Sequence, residues 1–265
     1  MNHIILDKES IENKSIESKS IEKRKEVKTL ILALDSSSLV ASVALLDDTT
    51  VIAEYTVNLK KTHSQTLLPM IDEIIRMTGI EKTEIEAVAV TDGPGSFTGL
   101  RIGAATAKGL AYAWNVPIIG VSTIKAMAYN FNHCNKLVCP IMDARRNQVY
   151  TGIYLCKEEE LTEVLAPCAI SIEELAHILN DQNKEVVFVG DGIPVHQQYL
   201  DEHLSNPHFF AKNHLNRQRA SSLGTLAKIM HENGQTMDAD SFAPQYMRLS
   251  QAERERLAND KADGK

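Results

Sequence analysis

The chain has 265 residues, 43% of them apolar, enough to bury one large or two small cores and so to form one or two domains. A formal net charge of -7 with no dense basic block argues against a free-standing nucleic-acid binder, because phosphate contacts supply most of such affinity. No apolar run is long enough to span a bilayer, and the cysteines Cys134, Cys139, Cys156 and Cys168 show no C-x-x-C spacing, which points to reduced thiols in a cytoplasmic protein.

Residues 1–27 read as an appendage. Ser10-Ile-Glu-Asn-Lys14, Ser15-Ile-Glu-Ser-Lys19 and Ser20-Ile-Glu-Lys-Arg24 repeat every five residues, a period that matches neither helix nor strand, so a mobile arm is expected. The folded chain then begins with a buried strand over 30–34, the polar turn Asp35-Ser36-Ser37-Ser38, a returning strand over 40–46 and a third over 51–57. An aspartate at a strand end followed by three hydroxyl residues suits a phosphate or a hydrated cation, since hydroxyls and turn amides donate to phosphate oxygens. Serine and aspartate also fill turns for purely local reasons. A helix follows from about 62 to 79, where Leu67, Met70, Ile71, Ile74, Ile75 and Met77 cover more than one stripe, so two buried faces are expected. His63 has no metal-type residue three or four positions on and reads as a capping or hydrogen-bonding group.

The segment 87–114 departs furthest from ordinary packing. Ala87-Val-Ala-Val90 has strand length, Gly93-Pro94-Gly95 breaks it, and Ser96 can cap a helix reaching about Trp114. Gly99, Gly103, Ala107 and Ala111 recur every four residues and leave one face nearly bare. Each helical glycine costs roughly 1 kcal/mol against alanine, so something compensates. Three explanations stay open: another backbone approaches that face, a ligand sits at the glycine-rich helix N-terminus, or the helix packs closely on its own sheet.

The second half alternates less regularly. Strand 117–121 leads to a helix capped by Ser122; strand 137–142 leads to Asp143-Ala-Arg-Arg146 and a strand over 149–155. Ser171 and Glu174 form a capping box for a helix over 171–180, strand 185–189 ends in Gly190-Asp191-Gly192, and 220–232 is a further helix. Two halves that each start with strands and finish with helices imply a two-lobed α/β architecture with a cleft.

Six stretches in order, Leu30-Ile-Leu-Ala-Leu-Asp-Ser-Ser37, His63-Ser-x-x-Leu-Leu-Pro69, Gly93-Pro-Gly-Ser-Phe-Thr-Gly-Leu-Arg-Ile-Gly103, Pro117-Ile-Ile-Gly-Val-Ser122, Asp143-Ala-Arg145 and Pro244-x-Tyr-Met-Arg248, resemble the TsaB (YeaZ) family. The resemblance implies an actin/sugar-kinase-like (ASKHA) fold, with a first lobe over 28–122, a degenerate second lobe over 123–249, a mobile arm at 1–27 and a frayed tail at 250–265. It also implies a role in forming threonylcarbamoyladenosine beside the anticodon of tRNA. In that system TsaB resembles the catalytic subunit TsaD but acts as its binding partner, with the ATPase TsaE as third component. A TsaB-like chain would meet tRNA only through the complex, and a homodimer is expected when TsaD is absent.

The family pattern can be checked residue by residue. TsaD carries two metal-binding histidines four apart after the strand that here ends in Gly120-Val121, and Thr123 and Met127 stand at those positions. Superfamily phosphate hairpins place glycine beside the hydroxyls, and Asp35, Ser36, Ser37 and Ser38 include none, which leaves them as a vestigial nucleotide site. The expectation is therefore a scaffold with no catalytic residue, metal or cofactor. Its interface with TsaD would comprise Leu67, Met70, Ile71, Ile74, Phe97, Gly99, Leu100, Gly103, Ala107 and Leu110. The alternative is an active kinase, ATPase or metallopeptidase of the same superfamily working through Asp35. Arg101, Arg145, Arg146, Arg217 and Arg219 are the candidates for any local RNA-facing patch.

Overall fold

A computed structural model describes residues 28–157 and 160–247. The arm at 1–27, Arg248 and the tail at 250–265 lie outside the described residues. The first sheet contains β1 (Leu30–Asp35), β2 (Ala41–Leu46), β3 (Val51–Val57), β4 (Ile85–Gly93) and β5 (Ile118–Ser122), in the order β3-β2-β1-β4-β5. β1 runs antiparallel to β2 and parallel to β4, and every one of its residues is buried. A strand covered on both faces has no reason to alternate, which explains the unbroken run Leu30-Ile-Leu-Ala-Leu34.

The second sheet contains β6 (Leu137–Asp143), β7 (Gln148–Lys157), β8 (Glu160–Ser171), β9 (Val186–Val189) and β10 (His208–Phe210), in the order β8-β7-β6-β9-β10. It repeats the first sheet strand for strand, with β6 antiparallel to β7 and parallel to β9. The helices repeat as well. α1 (His63–Thr78), α2 (Phe97–Trp114) and α3 (Thr123–Ala128) follow β3, β4 and β5, while α4 (Ile172–Asp181), α5 (Ile193–His203) and α6 (Ala220–Glu232) follow β8, β9 and β10. This duplicated α/β unit is the two-lobed actin/sugar-kinase-like fold.

Alternate residues of β1 serve different helices. Leu32 and Leu34 pack with Leu67, Met70, Ile71 and Ile74 of α1 on one face of the sheet. Ile31 and Ala33 pack with Ala220, Leu223 and Ala227 of α6 on the other. The boundary at 122 therefore sorts the strands but not the whole chain. α6 returns to the first sheet, where a Cβ on Gly224 would lie 2.3 Å from Leu46 Cδ2. Residues 237–242 return with it. Ile118 and Met237 exchange backbone hydrogen bonds of 2.8 and 2.9 Å along the free edge of β5, and Ala239 and Phe242 enter the α1–α2 core. Small residues on α6 and an unpaired sheet edge make this return favourable, because both bury surface that would otherwise face water.

Candidate functional site

The β1–β2 turn is where the sequence placed its candidate phosphate chemistry. Asp35 Oδ1 accepts hydrogen bonds from the Ser37 amide at 2.8 Å and the Ser37 hydroxyl at 2.7 Å. Ser36 Oγ donates to the Gly99 carbonyl at 2.9 Å, and Ser38 Oγ donates to Gln218 Oε1 at 2.9 Å. His63 Nε2 donates to the Ser38 carbonyl at 2.7 Å, so His63 ties the start of α1 to the turn. Asp35, Ser36, Ser37 and Ser38 are all buried. Burial pushes the Asp35 carboxyl above the ordinary carboxylate range, against the Ser37 hydrogen bonds that pull it down. Each serine hydroxyl has one proton to donate, and all three protons are committed within the chain.

The helix that closes on this turn is α2. Ser96 Oγ caps it by accepting the Gly99 amide, and the Ser96 amide donates to the Ser37 carbonyl at 2.6 Å. A Cβ on Gly99 would lie 2.1 Å from the Ser36 carbonyl oxygen, and one on Gly103 would lie 2.5 Å from Ser36 Oγ. The neighbour in the glycine groove is thus the β1–β2 turn of the same lobe: another backbone of this chain approaches the face at Gly99, and Gly103 packs beside it on Leu34 and Val90 of the home sheet. That corrects the expected interface. Leu67, Met70, Ile71, Ile74, Gly99, Leu100, Gly103 and Ala107 are buried in the lobe's own core, where a partner has no access. Phe97 and Leu110 are half-buried: Leu110 packs on the same core, and Phe97 lies under Arg101 and against Tyr246.

The opposite side of the helix pair is open. Leu68 and Met77 of α1 are 54% and 64% exposed, and Tyr112 of α2 is 59% exposed. A Cβ at Gly109 would meet nothing within 4 Å. Arg101, Ala105, Gly109 and Ala113 repeat every four residues along this exposed side of α2, a signal as regular as the buried stripe.

Between the lobes, a cavity of about 340 Å³ is lined by Asp92, Gly93, Ser122, Pro167, Gln245, Tyr246 and Met247. Gln245 Nε2 donates to Asp92 Oδ2 at 3.2 Å, and the Gln245 amide donates to the Asp92 carbonyl at 2.6 Å. Burial pushes the Asp92 carboxyl up to about 6. Nearby in sequence, Thr123 and Met127 are fully buried, Met127 in the core that joins α3 to β6. A hydroxyl and a thioether in a packed core do not fit the metal that the TsaD resemblance implies, so no step is derived through one.

The second-lobe turn is built on the same plan as the first and left open. Asp143 Oδ1 accepts the Arg145 amide at 2.8 Å, and Arg145, Arg146 and Asn147 are exposed with φ of 62°, 57° and 59°. The five arginines named as candidates for a local patch are dispersed. Arg101 donates to Tyr246 Oη at 3.2 Å, Arg219 pairs with Glu54 at 2.6 Å, and Arg217 turns inward to the Gly190 and Asn216 carbonyls.

Comparison with known proteins agrees with this geometry. Residues 50–256 match the family described as TsaD, tRNA N6-adenosine threonylcarbamoyltransferase. The chain is 34% identical over 223 residues to the tRNA threonylcarbamoyladenosine biosynthesis protein TsaB of Bacillus subtilis, covering 84% of this chain and 96% of that one. It is 34% identical over 228 residues to the Escherichia coli protein of the same name, covering 82% and 94%. Among solved structures it is similar to YeaZ from Pseudomonas aeruginosa, with a TM-score of 0.69, 25% identity and coverage of 82% and 99%.

Proposed function

The chain belongs to the TsaB proteins, within the broader TsaD family, and from that premise we propose that it acts in threonylcarbamoyladenosine formation on tRNA as the non-catalytic partner of a TsaD-type transferase. A TsaE-type ATPase is the third component, and the work is done in the cytoplasm. The observation that carries the reading is the β1–β2 turn, whose three hydroxyl protons go to Gly99, Asp35 and Gln218 of the chain itself. A phosphate arriving there would find no free hydroxyl donor, and redirecting the hydroxyls would cost about 0.5–1.5 kcal/mol for each internal hydrogen bond given up. Thr123 and Met127 support the same reading, since neither suits the metal site of a transferase.

The partner face in this proposal is the outward side of α1 and α2, around Leu68, Met77, Gly109 and Tyr112, and a second copy of the chain takes that face when the transferase is absent. Exposed large apolar side chains next to a side-chain-free position suit a closely approaching helix. The deciding experiment is reconstitution of tRNA modification from TsaD and TsaE with and without this chain, read by nucleoside mass spectrometry. Modification should require the chain, and Asp35→Asn, which keeps an acceptor at Oδ1, should support full activity. A folded Asp35→Asn variant that fails would instead establish the active-enzyme reading. Gly109→Trp should abolish co-purification with TsaD without lowering the melting temperature; retained binding would remove the partner from this face.

A further inference from the structure

The first-lobe turn and its second-lobe counterpart start alike and end differently. In each, the aspartate closing the central strand accepts the amide two residues on at 2.8 Å. In the first lobe α2 then covers the turn; in the second, Arg145, Arg146 and Asn147 stand in solvent. All three have left-handed backbone, which residues other than glycine and asparagine adopt only at a cost, so the surrounding structure must hold them there. It does so from both sides: the Gln148 amide donates to the Arg145 carbonyl at 3.2 Å, the Ile172 amide donates to the Asn147 carbonyl at 3.2 Å, and Asn147 Nδ2 donates to Glu173. The turn is a braced platform for two guanidinium groups.

Those two groups are also the ones without a side-chain or carbonyl partner. Of the six arginines among the described residues, Arg76 pairs with Glu73, Arg219 with Glu54, Arg217 with two carbonyls, and Arg101 with Tyr246 and Phe97. Arg145 and Arg146 remain. Successive residues of a left-handed turn point their side chains roughly 100° apart, so the two guanidinium groups address separate anions rather than clamping one. We infer that Arg145 and Arg146 contact two phosphates of an RNA backbone, giving this chain its own share of the tRNA surface bound by the complex. The net charge of -7 fits a small share, with the remaining phosphate contacts supplied by the partner.

The inference rests on the reading above only in taking the RNA to be tRNA. The test is tRNA binding by the assembled chain–TsaD complex, measured by fluorescence anisotropy over a series of salt concentrations. The variants are Arg145→Asn/Arg146→Asn, whose asparagines accept left-handed backbone, and Arg145→Lys/Arg146→Lys. The asparagine pair should reduce the slope of log K against log salt by about 2, one per lost phosphate contact, while the lysine pair keeps it. Melting temperature and TsaD co-purification should stay unchanged in both. An unaltered slope in the folded asparagine variant overturns the inference. Loss of TsaD co-purification also overturns it, by making the turn a protein contact, and so does displacement of RNA by ATP in wild type but not in the variant, which would assign the arginines to a nucleotide. If no complex forms with TsaD, the partner reading fails, and the same slope difference at low salt on the isolated chain still decides this one.

Discussion

Gly103 and Gly109 lie six residues apart on α2 and face opposite ways, so the same substitution at each should have opposite effects. Alanine in place of a helical glycine gains roughly 1 kcal/mol from reduced freedom of the unfolded chain. At Gly109 a Cβ meets nothing within 4 Å, so the gain is kept. For a chain of this size that corresponds to a rise in melting temperature of about 2–4 °C. At Gly103 the new methyl would lie 2.5 Å from Ser36 Oγ, which must rotate and give up its bond to the Gly99 carbonyl. The buried Ser36 hydroxyl then loses its acceptor at about 1–3 kcal/mol, overpacking adds about as much again, and the gain of roughly 1 kcal/mol offsets part of this, so Gly103→Ala should destabilise by a net of roughly 1–5 kcal/mol. Thermal unfolding followed by circular dichroism on both variants suffices. If Gly103→Ala melts as high as Gly109→Ala, the packing of α2 on the β1–β2 turn described above is wrong.

Two further outcomes concern pH. Asp92 has its carboxyl raised from 3.8 to about 6 by burial, so the stabilisation it gives is fully present below the unfolded value near 3.8 and is lost as pH rises through 6. Asp92→Asn, which can still accept from Gln245, should flatten that pH dependence and gain about 1–3 kcal/mol at neutral pH, read from melting temperatures between pH 4 and 7; a wild-type profile already flat over that range would contradict it. Glu54 behaves in the opposite sense. Burial raises its carboxyl, but the hydrogen bonds from Arg219, the Ser221 hydroxyl and the Ser221 amide outweigh it and leave the value lowered. Its contribution is present above the unfolded value near 4.5 and is lost as pH falls through the folded one. Glu54→Gln should cost about 1–3 kcal/mol and speed hydrogen exchange at the start of α6, and unchanged exchange there would count against the clasp.

Where local chemistry decided the outcome, the structure agrees with the sequence. Ser96 caps α2 through to Trp114, Ser171 caps α4, and the apolar run of β1 is a central strand. β8 was not anticipated, because it is a sheet edge carrying Pro167 and exposed polar residues, with register shifts against β7. α5 was missed as well: Ile193-Pro-Val-His-Gln-Gln-Tyr-Leu200 buries only Ile193, His196 and Leu200, too sparse a stripe to stand out. The orientation of α2 was beyond reach for a different reason. Gly99, Gly103, Ala107 and Ala111 repeat with the same spacing as Ala105, Gly109 and Ala113, so periodicity alone offers two small-residue faces. The choice between them depends on Ser36 and Ser37, some 60 residues earlier, and no pattern within the helix encodes that.

The closure of the turn and the direction of α2 follow from one contact. Gly95 and Gly99 let the helix N-terminus approach until a Cβ at either position would lie 2.4 or 2.1 Å from the Ser37 or Ser36 carbonyl oxygen. At that distance the Ser36 hydroxyl reaches the Gly99 carbonyl and the Ser96 amide reaches the Ser37 carbonyl, so two donors suited to a phosphate are taken up by helix docking itself. Reopening the turn would require α2 to withdraw, taking Leu100, Ala104 and Ala107 out of the core shared with β1 and β4. At about 25 cal/mol per Å² of apolar surface, exposing three such side chains costs several kcal/mol, a large fraction of an ordinary domain's stability. No single substitution in Asp35, Ser36, Ser37 or Ser38 removes that barrier. A phosphate could reach these hydroxyls only if α2 packed differently, and that same repacking would move the outward face on which the partner is proposed to sit.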